Sequence, residues 1–80
     1  MNYDLAIMAL EGLVKTPIDV TVSDDLVTIH GTTSGFKELA RLCLLLGSAD
    51  VSEGEGFELN PAAHLSADSS SLHLRLRNQK

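Results

Sequence analysis

Apolar positions in the first fifteen residues recur three and four apart. Leu5, Met8, Ala9 and Leu13 make one stripe, widened by Ile7, Leu10 and Val14. That is the period of an amphipathic helix, and it predicts one over residues 2–15 with Asn2 as its cap. Gly12 weakens the interior by ~1 kcal/mol relative to alanine. The alternation Tyr3, Leu5, Ile7 keeps an N-terminal strand as the alternative. Pro17 ends the segment under either reading, because it disfavours helical geometry at Thr16.

The period then changes to two. Residues 18–23 and 26–31 are β-rich runs separated by Asp24 and Asp25, whose short side chains tolerate turn geometry. A two-residue loop pairs Val22 with Val27, Val20 with Ile29 and Ile18 with Gly31, which puts the β-branched apolar residues on one face. The other face carries Thr21 with Thr28 and Asp19 with His30, a pattern that stays wet. Residues 32–46 return to helical spacing, with Thr33 or Ser34 as the N-cap and Gly47 as the C-cap. Phe36, Leu39, Ala40, Cys43 and Leu46 form the expected core stripe. Leu42, Leu44 and Leu45 are then apolar surplus that must meet the first helix or another chain.

Beyond residue 47 runs a glycine-bearing acidic loop with Asp50, Glu53 and Glu55, then a short strand over 57–59 stopped by Asn60 and Pro61. Residues 62–71 are small and polar. Leu72, Leu74 and Leu76 alternate with His73, Arg75 and Arg77 as a last half-buried strand. The predicted architecture is a single α+β domain over residues 1–80, in the order α-β-β-α-β-β. It has a four-stranded antiparallel sheet with two helices packed on one face. The bare face displays Asp19, Thr21, Thr28, His30, Glu58, His73, Arg75 and Arg77.

Composition narrows the classes. Of the 80 residues, 44% are hydrophobic and 21% charged, which excludes disordered and collagen-like chains. The longest purely apolar run, Leu42 to Leu46, is far short of the roughly 18 residues that cross a bilayer. The first residues show no basic n-region and no A-x-A-like cleavage site. Eleven acidic against six basic residues give a net charge of -5, which argues against a nucleic-acid partner. The lone cysteine, Cys43, closes no intramolecular disulfide, so a reducing cytoplasm is the expected location.

Each chemical cue has a plain structural counterpart. His30, His64 and His73 lack metal-ligand spacing, and no metal or other cofactor is expected. Asp19 opposite His30 has the elements of an acid–base pair, with Thr28 or Ser23 as nucleophile, but on a flat face it reads first as a surface cross-strand pair. The segment 31–35, Gly-Thr-Thr-Ser-Gly, precedes a helix and could hold an anion on its N–H groups; hydroxyl residues there are also ordinary caps. Cys43 reads as a small core hydrophobe. The acidic cluster Asp50, Glu53, Glu55 and Glu58 is the clearest functional cue, either a solvated loop or a contact patch for a basic partner.

The stretch Leu26-Val27-Thr28-Ile29-His30-Gly31-Thr32, followed by Gly35-Phe36-Lys37-Glu38-Leu39-Ala40-Arg41-Leu42, resembles one family in particular. It is the immunity protein 32 family of bacterial polymorphic toxin systems, with its strand, Gly-Thr and G-hydrophobic-x-x-L-A-x-L helix. Phe57-Glu58-Leu59-Asn60-Pro61, Leu65 and Ser70-Ser71-Leu72-His73-Leu74 extend the resemblance over residues 18–77. The chain departs from that pattern at Phe57, where a histidine is expected. The resemblance implies a non-enzymatic cytoplasmic antidote that binds a toxin, and it assigns no functional residue.

Two classes of function follow. The first is an acidic protein-binding module whose partner, such as a basic toxin domain, contacts Asp50, Glu53, Glu55, Glu58, Asp19, His30 and His73. A homodimer through Leu42, Leu44 and Leu45 is compatible with it. The second is a small ligand-binding protein or enzyme using the Asp19/His30 face and the loop from Gly31 to Gly35.

Overall fold

A computed structural model describes residues 1–48, 51 and 54–77. Its elements follow the expected order: α1 (Tyr3–Lys15), β1 (Asp19–Ser23), β2 (Leu26–His30), α2 (Thr33–Leu46), β3 (Gly56–Leu59) and β4 (Leu72–Arg75). The Asn2 side chain caps α1 by accepting from the Leu5 N–H at 3.2 Å. At the other end the Thr16 N–H and hydroxyl both donate to the Gly12 carbonyl at 3.0 Å. The cap of α2 is Thr32, one residue before the expected Thr33 and two before Ser34. Its hydroxyl accepts from the Gly35 N–H at 3.1 Å, and Gly47 closes the helix.

The first hairpin has the expected register, with Asp19 opposite His30, Val20 opposite Ile29, Thr21 opposite Thr28 and Val22 opposite Val27. Ile18 does not continue the ladder to Gly31. It bridges Leu65 instead, although its side chain still covers Gly31, where an added Cβ would come within 2.7 Å of Ile18 Cγ2. In the second hairpin Phe57 faces Leu74 and Leu59 faces Leu72 on the core side, while Glu58 and His73 face out.

The four strands do not form one sheet. They form two separate two-stranded antiparallel sheets, β1-β2 and β3-β4, so the expected four-stranded sheet with helices on one face is corrected. One edge of the first hairpin, the outer edge of β1, is closed to the second hairpin because residues 65–70 occupy it. Ser66 N–H donates to the Ile18 carbonyl at 3.0 Å and Ser70 N–H to the Val20 carbonyl at 2.8 Å. Between them the buried Ser69 hydroxyl accepts from the Val20 N–H at 2.7 Å. It lies 2.8 Å from the Ser70 carbonyl and 3.3 Å from the Val20 carbonyl, so it has an acceptor for its own proton. A side chain thus does the work of a strand. Ser69→Ala leaves the Val20 N–H buried without a partner and is expected to cost about 1–3 kcal/mol, read as a lower urea midpoint at unchanged m-value. A midpoint equal to that of the wild type would refute the role.

The core joins Ala6, Ala9 and Leu13 of α1 to Ile18, Val20, Leu42, Phe57, Leu59 and Leu65. Both helices are rotated from the expected stripes. In α1 the small Ala6 and Ala9 face inward, while Leu5 and Met8 are exposed. In α2 Gly35 and Leu42 are buried, whereas Phe36, Ala40 and Cys43 of the expected stripe are exposed. Cys43 is a surface thiol, not a core residue. Close approach of backbone explains the choice. A Cβ on Gly35 would sit 3.0 Å from the Thr16 carbonyl and from Ile18 Cγ2. At Gly12 an added Cβ would meet Glu38 Oε2 at 2.4 Å, so this glycine gives the Glu38 side chain its place against α1.

Candidate functional site

Asp19 and His30 stand opposite each other in β1 and β2. Among the described residues no hydrogen bond or ion pair joins their side chains. Thr21 and Thr28 share that polar face. Glu58 and His73 stand opposite in the second hairpin, where Glu58 Oε1 is paired with Arg75 Nη2, both side chains half exposed. Because the hairpins are separate sheets, these residues make two small polar faces, not the single bare face expected.

Glu55 is tied to the fold. Its Oε1 accepts from the Tyr3 hydroxyl at 2.8 Å, which links the start of α1 to the entry of β3. Asp50 and Glu53 lie outside the described residues. The 31–35 segment has work in packing and capping: the Gly35 N–H is taken by the Thr32 hydroxyl, and both glycines lie against Ile18. Among the described residues no three His, Cys, Asp or Glu side chains are gathered where they could hold a metal ion. The Nδ1 of His64 is buried without a hydrogen-bond partner.

A concave feature lies between the helices. A groove of about 580 Å³ is lined by Leu5, Met8 and Ala9 of α1, by Arg41, Leu44 and Leu45 of α2, and by Ser48. Its apolar walls stand open to solvent, with Met8 64% and Leu44 75% exposed. Arg41 Nη1 is paired with Glu38 Oε1, so the basic group in the lining is partly neutralised by its own helix. The three surplus leucines divide: Leu42 is core, Leu45 is half-buried in the groove wall and Leu44 projects. Sequence reasoning missed the groove because it assigned Leu5 and Met8 to the core. The signal available was apolar character covering more of both helices than one buried stripe requires.

No described helix is long and apolar enough to cross a membrane. Comparison with protein-family models, with curated proteins and with solved structures finds no match for this chain.

Proposed function

We propose that this chain is a small cytoplasmic protein-binding module, an antidote of the immunity type that binds a toxin domain and occludes it. The observation that carries the reading is the apolar helix-pair groove, with Leu5, Met8 and Leu44 exposed around it. Contiguous exposed apolar surface on a small soluble domain marks an interaction site. Apolar anchors at the centre of a patch supply affinity, while surrounding charge governs approach. The net charge of -5 suits a basic partner. The resemblance over residues 18–77 to the immunity protein 32 family points the same way.

A second reading draws on the same groove, whose volume of about 580 Å³ falls within the roughly 300–1,000 Å³ typical of small-molecule sites. Affinity capture from a lysate of the source cells separates the two. The wild type is expected to retain one basic protein in stoichiometric amount. Met8→Glu with Leu44→Glu is expected to lose it at least tenfold. Glu55→Gln with Glu58→Gln is expected to slow association and flatten its salt dependence while leaving release nearly unchanged. Retention of nothing by the wild type, together with stabilisation by a small apolar compound that the Met8/Leu44 variant abolishes, would replace the antidote reading with the ligand-binding one.

A further inference from the structure

We propose that the outer edge of β2 is a dimerisation edge, on which a second copy of this chain adds its own β2 antiparallel about a two-fold axis through Thr28. In the first hairpin the two-residue loop makes Ser23 and Leu26 a hydrogen-bonded pair, and alternation repeats this at Thr21 with Thr28 and Asp19 with His30. The backbone groups of the intervening residues therefore point away from the hairpin. On β1 that is what is found: the Val20 N–H and carbonyl, and the Ile18 carbonyl, are taken by Ser69, Ser70 and Ser66. On β2 the equivalent groups belong to Val27 and Ile29, and no described residue bonds to them.

This edge carries none of the usual protections, having no proline, lysine or glycine among Leu26, Val27, Thr28, Ile29 and His30. It is also self-complementary. Pairing Thr28 with the second copy's Thr28 sets Val27 against Ile29 and Ile29 against Val27. Each of these pairs exchanges two backbone hydrogen bonds, four in all for the dimer. The apolar face of Val20, Val22, Val27 and Ile29 then continues across a four-stranded sheet. In the monomer that face runs beyond the core, leaving Val22 and Val27 each 58% exposed. Leu26 is 66% exposed on the opposite face and comes beside the second copy's His30. Asp25 falls across from the second copy's Gly31, so the tip of each hairpin lies beside the end of the other's β2 and the two edges match along their whole length. That complementarity favours a second copy over an unrelated strand.

Four hydrogen bonds and a five-residue edge bury less than the ~800 Å² per partner of a standard interface. The association is therefore concentration-dependent, and it is independent of whether the helix groove binds a partner. Sedimentation equilibrium at ~0.15 M salt, where the repulsion between two chains of charge -5 is screened beyond roughly 8 Å, is expected to show mass rising from monomer toward dimer with concentration. Val27→Pro removes an N–H that the hairpin does not use. It deletes two of the four interchain bonds, and self-association is expected to weaken roughly 30-fold at unchanged secondary structure. Leu44→Glu is expected to dimerise like the wild type. Amide exchange on the wild type gives a variant-free reading, in which the Val27 and Ile29 amides become protected only as concentration rises. A wild type that stays monomeric throughout overturns the proposal. So does a dimer abolished by Leu44→Glu, or one in which the Val27 and Ile29 amides exchange freely.

Discussion

Gly56→Ala is expected to be the most damaging single-methyl change in the chain. A Cβ at this position would sit 2.0 Å from the Leu74 carbonyl oxygen and 3.0 Å from Arg75 Cα. Both atoms are backbone, so no rotamer change relieves the clash, and the start of β3 must move away from β4. Moving it breaks the pairing of Gly56 with Arg75 and strains the neighbouring bond from the Leu76 N–H to the Glu55 carbonyl at 2.9 Å. Overpacking against fixed backbone costs about 3 kcal/mol, a large share of the roughly 4–12 kcal/mol available to 80 residues. For a domain of this size that lowers Tm by about 12–24 °C. Gly54 is the matched control. It lies in open space at φ +87, so alanine there meets only the strain of a left-handed backbone, about 1–2 kcal/mol. Thermal melts of the two variants settle the matter, and a Gly56→Ala midpoint within a few degrees of the wild type would exclude the clash.

The contrast shows what local pattern can reveal. The register of the first hairpin was legible because a two-residue loop puts Val20, Val22, Val27 and Ile29 on the same side, and a shift by one residue would put the apolar residues of the two strands on opposite faces. The caps at Asn2 and Gly47 were legible because capping is a local exchange of hydrogen bonds. The split of the strands into two sheets was not. The closing of the β1 edge involves Ser69, one of three serines in a row, whose hydroxyl meets a backbone group 49 positions earlier in the chain. Nothing in the spacing of Ser69, Ser70 and Ser71 distinguishes the buried one.

Helix rotation was illegible for a different reason. A helix apolar over half its circumference has several stripes with the right period, and size decides among them once two backbones approach closely. Gly12 lies against Glu38 of α2, Gly35 against Thr16 and Ile18, and the small Ala6 and Ala9 are buried, while Leu5, Met8 and Phe36 turn outward. The acidic residues were easy to single out by charge, but their roles depend on long-range partners. Glu55 is tied to Tyr3, Glu58 to Arg75 across the hairpin and Glu38 to Arg41. The groove was foreshadowed only by leucines in excess of one core face.

Those leucines give the other large expected effect, because two of them separated by a single residue should report on different properties. Leu42 is 0% exposed and touches the interior of a thin core, whereas Leu44 is 75% exposed on the groove rim. Truncating a fully buried leucine removes its transfer free energy and leaves a cavity that a small core refills poorly, a loss of about 3–4 kcal/mol. Leu42→Ala is therefore expected to lower Tm by about 12–30 °C. Leu44→Ala should stay within about 0.5 kcal/mol of the wild type, since its side chain is already hydrated in the free protein. In binding the order reverses. If the groove anchors a partner, Leu44→Ala loses capture while keeping its melting point. Leu42→Ala, studied below its own Tm, keeps the groove wall of Leu5, Met8 and Leu45 and retains capture in proportion to the folded fraction. Equal loss of stability in both variants would mean that Leu44 packs inside the fold. Equal capture by Leu44→Ala and the wild type would take away the observation on which the binding reading rests.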